Sequence, residues 1–164
     1  MKQRYLIALG SNRRHHRHRA PAQVLRAALK TMKREGLKVR ATSPVLHSAP
    51  IGPSMRRYAN GAALIECKLV PEKLLELLKV IERQFGRRPG GQRWGSRVLD
   101  LDIVLWSGGP WSSPGLTIPH TEFRNRAFVL RPALAIAPAW RDPLSGLSLR
   151  QLHTRLTRPR PIPR

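Results

Sequence analysis

The apolar positions at the start of the chain predict a strand followed by a helix. Residues 5–9 are an apolar run of strand-forming types that ends at the turn sequence Gly10-Ser11-Asn12. From residue 22 the apolar spacing changes to three and four, and Gly36 ends the predicted helix. The apolar face of this helix consists of Val24, Leu25, Ala28, Leu29 and Met32.

Two more strands and the clearest helix of the chain follow. Residues 37–48 and 58–69 have extended patterns, the first interrupted at Pro44. The second carries Gly61, which suggests a bulge or a kink. Residues 70–86 predict an amphipathic helix whose apolar stripe consists of Leu74, Leu75, Leu78, Ile81 and Phe85.

The stretch from Val98 to Trp106 alternates between two faces of a predicted strand. Leu99, Leu101, Ile103 and Leu105 point one way, whereas Asp100, Asp102 and Val104 point the other. This strand therefore has one buried face and one face that holds two carboxylates.

The order of these elements is βαββαβ, followed by more helix. A helix is expected from about residue 125 to 138, interrupted at Pro132, and a short helix capped by Ser148 runs to Leu156. The pattern predicts an α+β fold of the ferredoxin-like type, an antiparallel sheet with helices on one face, extended by C-terminal helices. We expect a single domain at 1–157 and a basic, Pro-rich, frayed tail at 158–164.

The composition is that of an ordinary globular domain. The chain has 164 residues, 41% of them hydrophobic, and its one cysteine, Cys67, excludes an internal disulfide. No apolar run approaches the roughly 18 residues of a membrane helix, and the first residues do not look like a signal peptide. We therefore expect a cytoplasmic protein without a membrane partner, and a monomer.

The net charge of +22 has three possible explanations. Lys and Arg bind the phosphates of nucleic acids, or of a small polyanion such as a nucleotide, and the excess of Arg is also compatible with a genomic bias. The densest runs are residues 13–19, RRHHRHR, and the C-terminal tail. We expect both to be solvated and disordered, although His15, His16 and His18 could also bind a metal adventitiously.

Asp100 and Asp102 stand out because the chain has only nine acidic residues. Two carboxylates on one face of a strand repel each other unless a positive charge lies between them, and Mg²⁺ prefers such oxygen ligands. The alternative, an exposed polar face paired with arginines, is favoured on spacing alone. The flanking cations change this balance because phosphate chemistry needs both metals and guanidinium groups. They are Arg87, Arg93, Arg97, His120, Arg124 and Arg126.

Several motifs together resemble one family, the 6-hydroxymethyl-7,8-dihydropterin pyrophosphokinases of folate biosynthesis. They are ALGSN (8–12), APIGP (49–53), Tyr58 with Asn60, the helix end with Ile81, Glu82, Gly86 and Arg87, RWGSRVLDLDIVL (93–105), IPH (118–120) and RNRAFVL (124–130). The resemblance covers the chain to about Pro138, and the set is specific although the DLD alone would not be. It implies transfer of diphosphate from ATP to the hydroxymethyl group of the dihydropterin, which gives AMP and the dihydropterin diphosphate.

The resemblance also implies the residues of the site. Two Mg²⁺ ions would be held by Asp100 and Asp102, and Arg87, Arg97 and Asp102 would be the catalytic residues. The expected pterin-binding residues are Ser48, Ile51, Tyr58, Asn60, Trp94 and Phe128. The expected ATP-binding residues are Glu82, Arg87, Trp94, Arg97, Ile103, Thr117, His120 and Arg126.

Two rival hypotheses remain at this point, a basic nucleic-acid-binding module and a catalytically altered relative. Acidic side chains stand on the strand where phosphates would lie, so we expect no nucleic-acid partner, and the partners to be ATP and the dihydropterin. The sequence departs from relatives at Pro89-Gly90-Gly91, where basic residues are common, which leaves open how this loop grips ATP.

Overall fold

A central antiparallel sheet organises the chain, as seen in a computed structural model that describes residues 1–48, 58–86 and 98–161. The strands are β1 (Gln3–Ser11), β2 (Lys38–Thr42), β3 (Leu46–Ser48), β4 (Tyr58–Cys67), β5 (Asp100–Trp106), β6 (Trp111–Ser113) and β7 (Leu116–Ile118). The helices are α1 (Pro21–Arg34), α2 (Pro71–Gln84), a 3₁₀ turn (Phe123–Asn125), α3 (Ala127–Ile136) and α4 (Leu149–Thr157).

The sheet has the strand order β2-β4-β1-β5, and β3 extends its edge by pairing with β4. Every pairing in it is antiparallel. The β1-α1-β2-β4-α2-β5 core therefore confirms the predicted ferredoxin-like arrangement. No helix of the described residues is long and apolar enough to cross a membrane.

Helices cover both faces of this sheet. Tyr5, Ile7 and Leu9 of β1 belong to one buried cluster together with the apolar faces of α1 and α2. The alternate residue Leu6 belongs to a second cluster, which holds Leu130 of α3 and residues of α4. The C-terminal helices thus take the face that the first two helices leave open, because a sheet with two apolar faces must bury both.

A bulge in β5 corrects the predicted alternation. Leu6 pairs with Leu105, but the next residue, Ile7, pairs with Ile103, so Val104 is the extra residue. Val104 and Leu105 therefore both lie in the cluster with α3 and α4, whereas Ile103 lies in the other cluster. The prediction for Leu105 was wrong because the period of two holds only up to the bulge.

The predicted irregularity at Gly61 is also located elsewhere. The pairing of β1 with β4 runs from Gln3–Cys67 to Ser11–Ala59 without a register shift. The shift lies in β2, between Val39 and Ala41. A Cβ atom at Gly61 would make only ordinary contacts with Leu25 and Ser43.

The connection after β5 contains a hairpin that the sequence did not predict. β6 and β7 pair, and the Trp111 indole N–H donates to Glu72 Oε1 of α2 over 3.1 Å. This places the turn before His120 against the sheet, where the His120 N–H donates to the Val104 carbonyl over 3.1 Å.

Of the two C-terminal helices, α4 begins as predicted, whereas α3 is shorter than predicted. Ser148 caps α4, its Oγ accepting from the Gln151 N–H over 3.2 Å. α3 is shorter than the predicted 125–138 because a 3₁₀ turn precedes it, and Pro132 lies inside the helix. Arg124, in that turn, pairs with Asp142, its Nε lying 2.7 Å from Oδ2.

Candidate active site

Three neighbouring strands bring the predicted polar residues to one face of the sheet. Gly10 of β1 pairs with Asn60 of β4 on one side and with Asp100 of β5 on the other. Ala8 pairs with Ala62 and with Asp102. Directly paired residues point to the same face, so Asn60 and both aspartates lie on the side covered by α3. Their strands lie about 10 Å apart, two strand spacings.

Two small residues of β1, Gly10 and Ala8, lie between Asn60 on one side and Asp100 and Asp102 on the other, and form the floor of the candidate site. A Cβ atom built at Gly10 would lie 3.6 Å from Asn60 Oδ1, an ordinary contact, but a longer side chain would fill the space above β1. Ala8 occupies the equivalent position in the next row. Sequence reasoning found ALGSN as a motif but assigned no role to these two residues. The signal was the pair of small residues at every second position of a strand.

The amide side of this floor is preorganised by a hydrogen bond. The buried Asn60 side chain donates through Nδ2 to Ser48 Oγ, over 2.8 Å. Tyr58 pairs with Ser48 across β3 and β4 and lies two residues before Asn60, so it shares the same face. The structure therefore brings together three of the predicted pterin-binding residues. The orientation of the Asn60 amide is held by Ser48 rather than by solvent.

α3 brings Phe128 and Arg126 towards this face. The helix packs on β4, with Phe128 half-buried in its first turn. The Arg126 guanidinium carbon lies 5.8 Å from the centre of the Phe128 ring. A cation and an aromatic ring thus stand together at the start of α3.

The side of the candidate site that carries Asp100 and Asp102 is accessible, and Glu82 supports its backbone from the opposite face of the sheet. Asp102 is exposed and Asp100 is half-buried. The buried Glu82 of α2 accepts the Leu101 N–H through Oε1 over 2.8 Å, from the opposite face of the sheet. Leu101 lies between the two aspartates, so Glu82 fixes the backbone that carries both.

The two carboxylates fit a magnesium site in donor type. Both supply hard oxygen ligands, both come from one strand, and the exposed position of Asp102 leaves room for further ligands. Mg²⁺ in proteins commonly binds one or two carboxylates and takes its remaining ligands from phosphates and water. Asp100 and Asp102 are thus the residues of the described part that would hold the metal.

The remaining predicted ATP-binding residues fall into different environments. Thr117 is exposed on β7, and His120 follows the cis peptide Ile118–Pro119, its Nδ1 accepting the Glu122 N–H over 3.2 Å. The Ile103 side chain is buried with α1 and α2, on the face opposite Asp102. Any contact of Ile103 with a nucleotide would therefore come from its backbone. Ile51, Arg87, Trp94 and Arg97 lie outside the described residues.

Most of the basic loop at residues 13–19 is exposed, as expected, whereas His15 and His18 are half-buried. The centre of the His15 ring lies 4.2 Å from that of His16 and 4.9 Å from that of His18. The His18 ring centre lies 5.4 Å from that of Phe85, at the end of α2. His15 Nδ1 accepts the N–H groups of Arg17 and His18. Burial, and then the neighbouring His16, His18 and Arg17, lower the pKa of His15. Within residues 1–48, 58–86 and 98–161, no three His, Cys, Asp or Glu side chains are placed to hold a metal.

Several known proteins are similar to this chain over most of its length. The family model for 7,8-dihydro-6-hydroxymethylpterin-pyrophosphokinase matches residues 6–138. A 2-amino-4-hydroxy-6-hydroxymethyldihydropteridine pyrophosphokinase from Pseudomonas aeruginosa is 39% identical over 87% of this chain and 86% of its own length. One from Haemophilus influenzae is 41% identical over 80% of this chain and 79% of its own length.

Other relatives extend beyond the matched segment. A Synechocystis protein of the same name is 39% identical over 71% of this chain, which spans 60% of that relative's length. The HPPK-DHPS structure from Plasmodium falciparum has a TM-score of 0.74 at 12% identity, covering 94% of this chain and 41% of that one. This second likeness shows the fold alone. The match over most of the chain to both the family model and close relatives shows that the chain belongs to the 7,8-dihydro-6-hydroxymethylpterin-pyrophosphokinase family.

Proposed function

We propose that this chain transfers diphosphate from ATP to the hydroxymethyl group of 6-hydroxymethyl-7,8-dihydropterin, giving AMP and the dihydropterin diphosphate. The observation that carries the proposal is the row across β4, β1 and β5, in which Asn60, Gly10 and Asp100 are paired neighbours. An amide for a heterocycle and a carboxylate for a metal–phosphate group then lie on one face, about 10 Å apart. Family membership supports the same reaction.

The amide side would bind and orient the pterin. The Asn60 amide has both donors and an acceptor, which suits an aminopyrimidinone edge, and its bond to Ser48 fixes its orientation. Tyr58 on β4 and Phe128 on α3 would contact the faces of the flat ring. Ile51 and Trp94 are proposed to complete this side. The small side chains of β1 would leave the depth that the ring needs.

The carboxylate side would hold the phosphates of ATP. Asp100 and Asp102 would bind two Mg²⁺ ions, which when present neutralise phosphate charge and lower the pKa of the attacking hydroxyl. Arg126 and His120 would contact the phosphate oxygens, with Thr117 nearby on β7. Glu82 would act as a positioning residue through Leu101. Arg87 and Arg97 are proposed to bind the transferred group.

The bond changes follow from this arrangement. The hydroxymethyl oxygen forms a bond to the β-phosphorus of ATP, the bond from that phosphorus to the oxygen bridging to the α-phosphate breaks, and AMP leaves. The hydroxyl proton is released to water. Because such a transfer needs positioning and charge stabilisation rather than a covalent intermediate, the chain needs no nucleophilic side chain.

The test is to identify the nucleotide product. The protein is incubated with ATP, Mg²⁺ and 6-hydroxymethyl-7,8-dihydropterin, and the nucleotides are separated by chromatography. AMP formation that depends on the dihydropterin is expected. ADP as the sole product would contradict diphosphate transfer, and salt-sensitive binding to RNA or DNA without AMP would favour the nucleic-acid hypothesis.

We further propose that the protein acts as a monomer in the cytoplasm and uses two metal ions. Light scattering at the assay concentration tests the monomer. Titration of the protein–nucleotide complex with Mn²⁺, followed by electron paramagnetic resonance, counts the ions. Saturation at one ion per chain would contradict the two-metal site.

A further inference from the structure

A cavity of about 220 Å³ lies between α1 and the sheet, on the face opposite Asn60 and the aspartates. Its apolar wall comes from Leu9 of β1, Leu25 and Leu29 of α1, and Val45 after β2. Arg26 of α1 also lines it. The residues around it all belong to the described part of the chain, and the proposed reaction uses none of them.

The local sequence explains why this space stays unfilled. The edge of the sheet is interrupted between β2 and β3, and Ser43 replaces the missing ladder: its N–H donates to the Ala62 carbonyl, and its Oγ accepts the Ala62 N–H, both over 2.9 Å. Pro44, which follows, has no N–H to continue the strand. Gly61, beside Ala62, has no side chain to fill the gap. A Cβ there would lie 3.7 Å from both Leu25 Cδ1 and Ser43 Oγ.

The lining selects for a small ligand with an apolar ring and a negative charge. Benzene fits into a volume of about 150 Å³, so the volume of about 220 Å³ suffices for a single ring with one substituent. Arg26 is exposed, and the described residues provide no ion pair for it. A guanidinium binds a carboxylate with two hydrogen bonds and also stacks on aromatic rings.

We propose that this cavity is a second ligand site, which binds a small monocyclic aromatic carboxylate. The ring lies against the half-buried Leu29 and Val45, and the carboxylate pairs with Arg26 at the opening. Thr42 and Ser43 also line the cavity. The site is independent of the dihydropterin reaction.

The first measurement is a titration of the full-length, ¹⁵N-labelled protein with benzoate, followed by amide chemical shifts. We expect saturable shifts at Leu25, Ser43 and Gly61, with a Kd on the order of millimolar because the ligand is small. Benzyl alcohol, which has the same size without the charge, should bind about tenfold more weakly. Absence of saturation, or shifts confined to Asp102 and Phe128 on the other face, would overturn the proposal.

Variants separate a built site from general anion attraction. Arg26→Gln should weaken benzoate binding about tenfold and leave benzyl alcohol unchanged. Lys30→Gln is the matched control, since Lys30 is exposed on the same helix but does not line the cavity. Gly61→Ala, whose added methyl meets only ordinary contacts, should weaken both probes several-fold by reducing the volume. Equal losses in the two cation variants would mean that net charge alone attracts benzoate, which contradicts the proposal.

Discussion

Asp142 and the pair Asp100–Asp102 are all the aspartates of the chain, and the fold places them in opposite environments. Asp142 is fully buried and accepts hydrogen bonds from Arg124, from Ser145 Oγ and from the Leu144 N–H. Asp102 is exposed on the face of a strand, and Asp100 is half-buried beside it. The comparison sets a fully buried carboxylate against two carboxylates that solvent can reach.

The pKa of Asp142 shows how complete its environment is. Burial alone would raise the pKa, but the hydrogen bonds from Arg124, Ser145 and Leu144 outweigh it and lower the pKa to about 2. Arg124, which the sequence placed among the phosphate-binding cations, is therefore engaged in a structural ion pair. The neighbouring Arg126 has its guanidinium near Phe128 instead. Proximity in sequence does not distinguish the two arginines, whereas packing does.

The largest expected effect comes from the more exposed carboxylate of the pair, Asp102. Asp102→Asn keeps the shape of the side chain but removes the charge that holds the metal–phosphate complex, so we expect kcat to fall about 1000-fold. The free energy of unfolding should change by less than about 0.5 kcal/mol because the side chain is exposed. AMP formation and urea unfolding measure the two quantities. A variant with the wild-type rate would remove Asp102 from the site.

The reverse pattern is expected at Asp142. Asp142→Asn leaves the Arg124 guanidinium without its buried partner and should lower the free energy of unfolding by about 2–3 kcal/mol. The kcat of the folded variant should stay within about twofold of wild type. Urea unfolding and the same assay at low temperature test both statements. Unchanged stability would mean that the ion pair contributes nothing net.

Glu82 is buried, as Asp142 is, but its carboxylate binds the backbone of β5, the strand that carries Asp100 and Asp102. Glu82→Ala removes the acceptor of the Leu101 N–H, so we expect a loss of about 1–2 kcal/mol in stability and about tenfold in kcat. Glu82→Gln keeps a carbonyl acceptor and should restore most of both. If the Gln variant were as impaired as the Ala variant, the charge of Glu82 would matter, and its role would lie in binding rather than in positioning.

The last prediction concerns the pH dependence of the Asp142 contribution. Its pKa in the fold, about 2, lies below the ordinary value of 3.8, so this stabilisation is fully present above pH 4 and is lost as the pH falls towards 2. The expected loss is about 2 kcal/mol. Glu66 also has a lowered pKa, through its hydrogen bond with Arg40, so the measured quantity is the difference between wild type and Asp142→Asn. A difference that stays constant from pH 5 to 2 would contradict the assignment.

The sequence by itself determined the order of the βαββαβ core, the face shared by Asp100 and Asp102, and the family. Apolar residues at every second position predict strands, and a spacing of three to four predicts helices. The family follows from a set of motifs, and all of these are local properties of the chain. The sequence named Asn60 and Ser48 as expected pterin-binding residues but did not predict the hydrogen bond between them, because that bond joins two strands and two residues 12 positions apart.

Tertiary structure decided what depends on distant neighbours. The bulge that moves Leu105 to the other face is set by pairing with β1, and no period within β5 contains it. Glu82 and Leu101 are in contact only because α2 packs against β5. Arg124, which the sequence grouped with the phosphate-binding cations, pairs instead with Asp142, 18 residues away. The cavity beside Gly61 likewise needs a strand break, a glycine and a helix from three separate segments. Local patterns specify which face a side chain takes, but only packing specifies what it meets there.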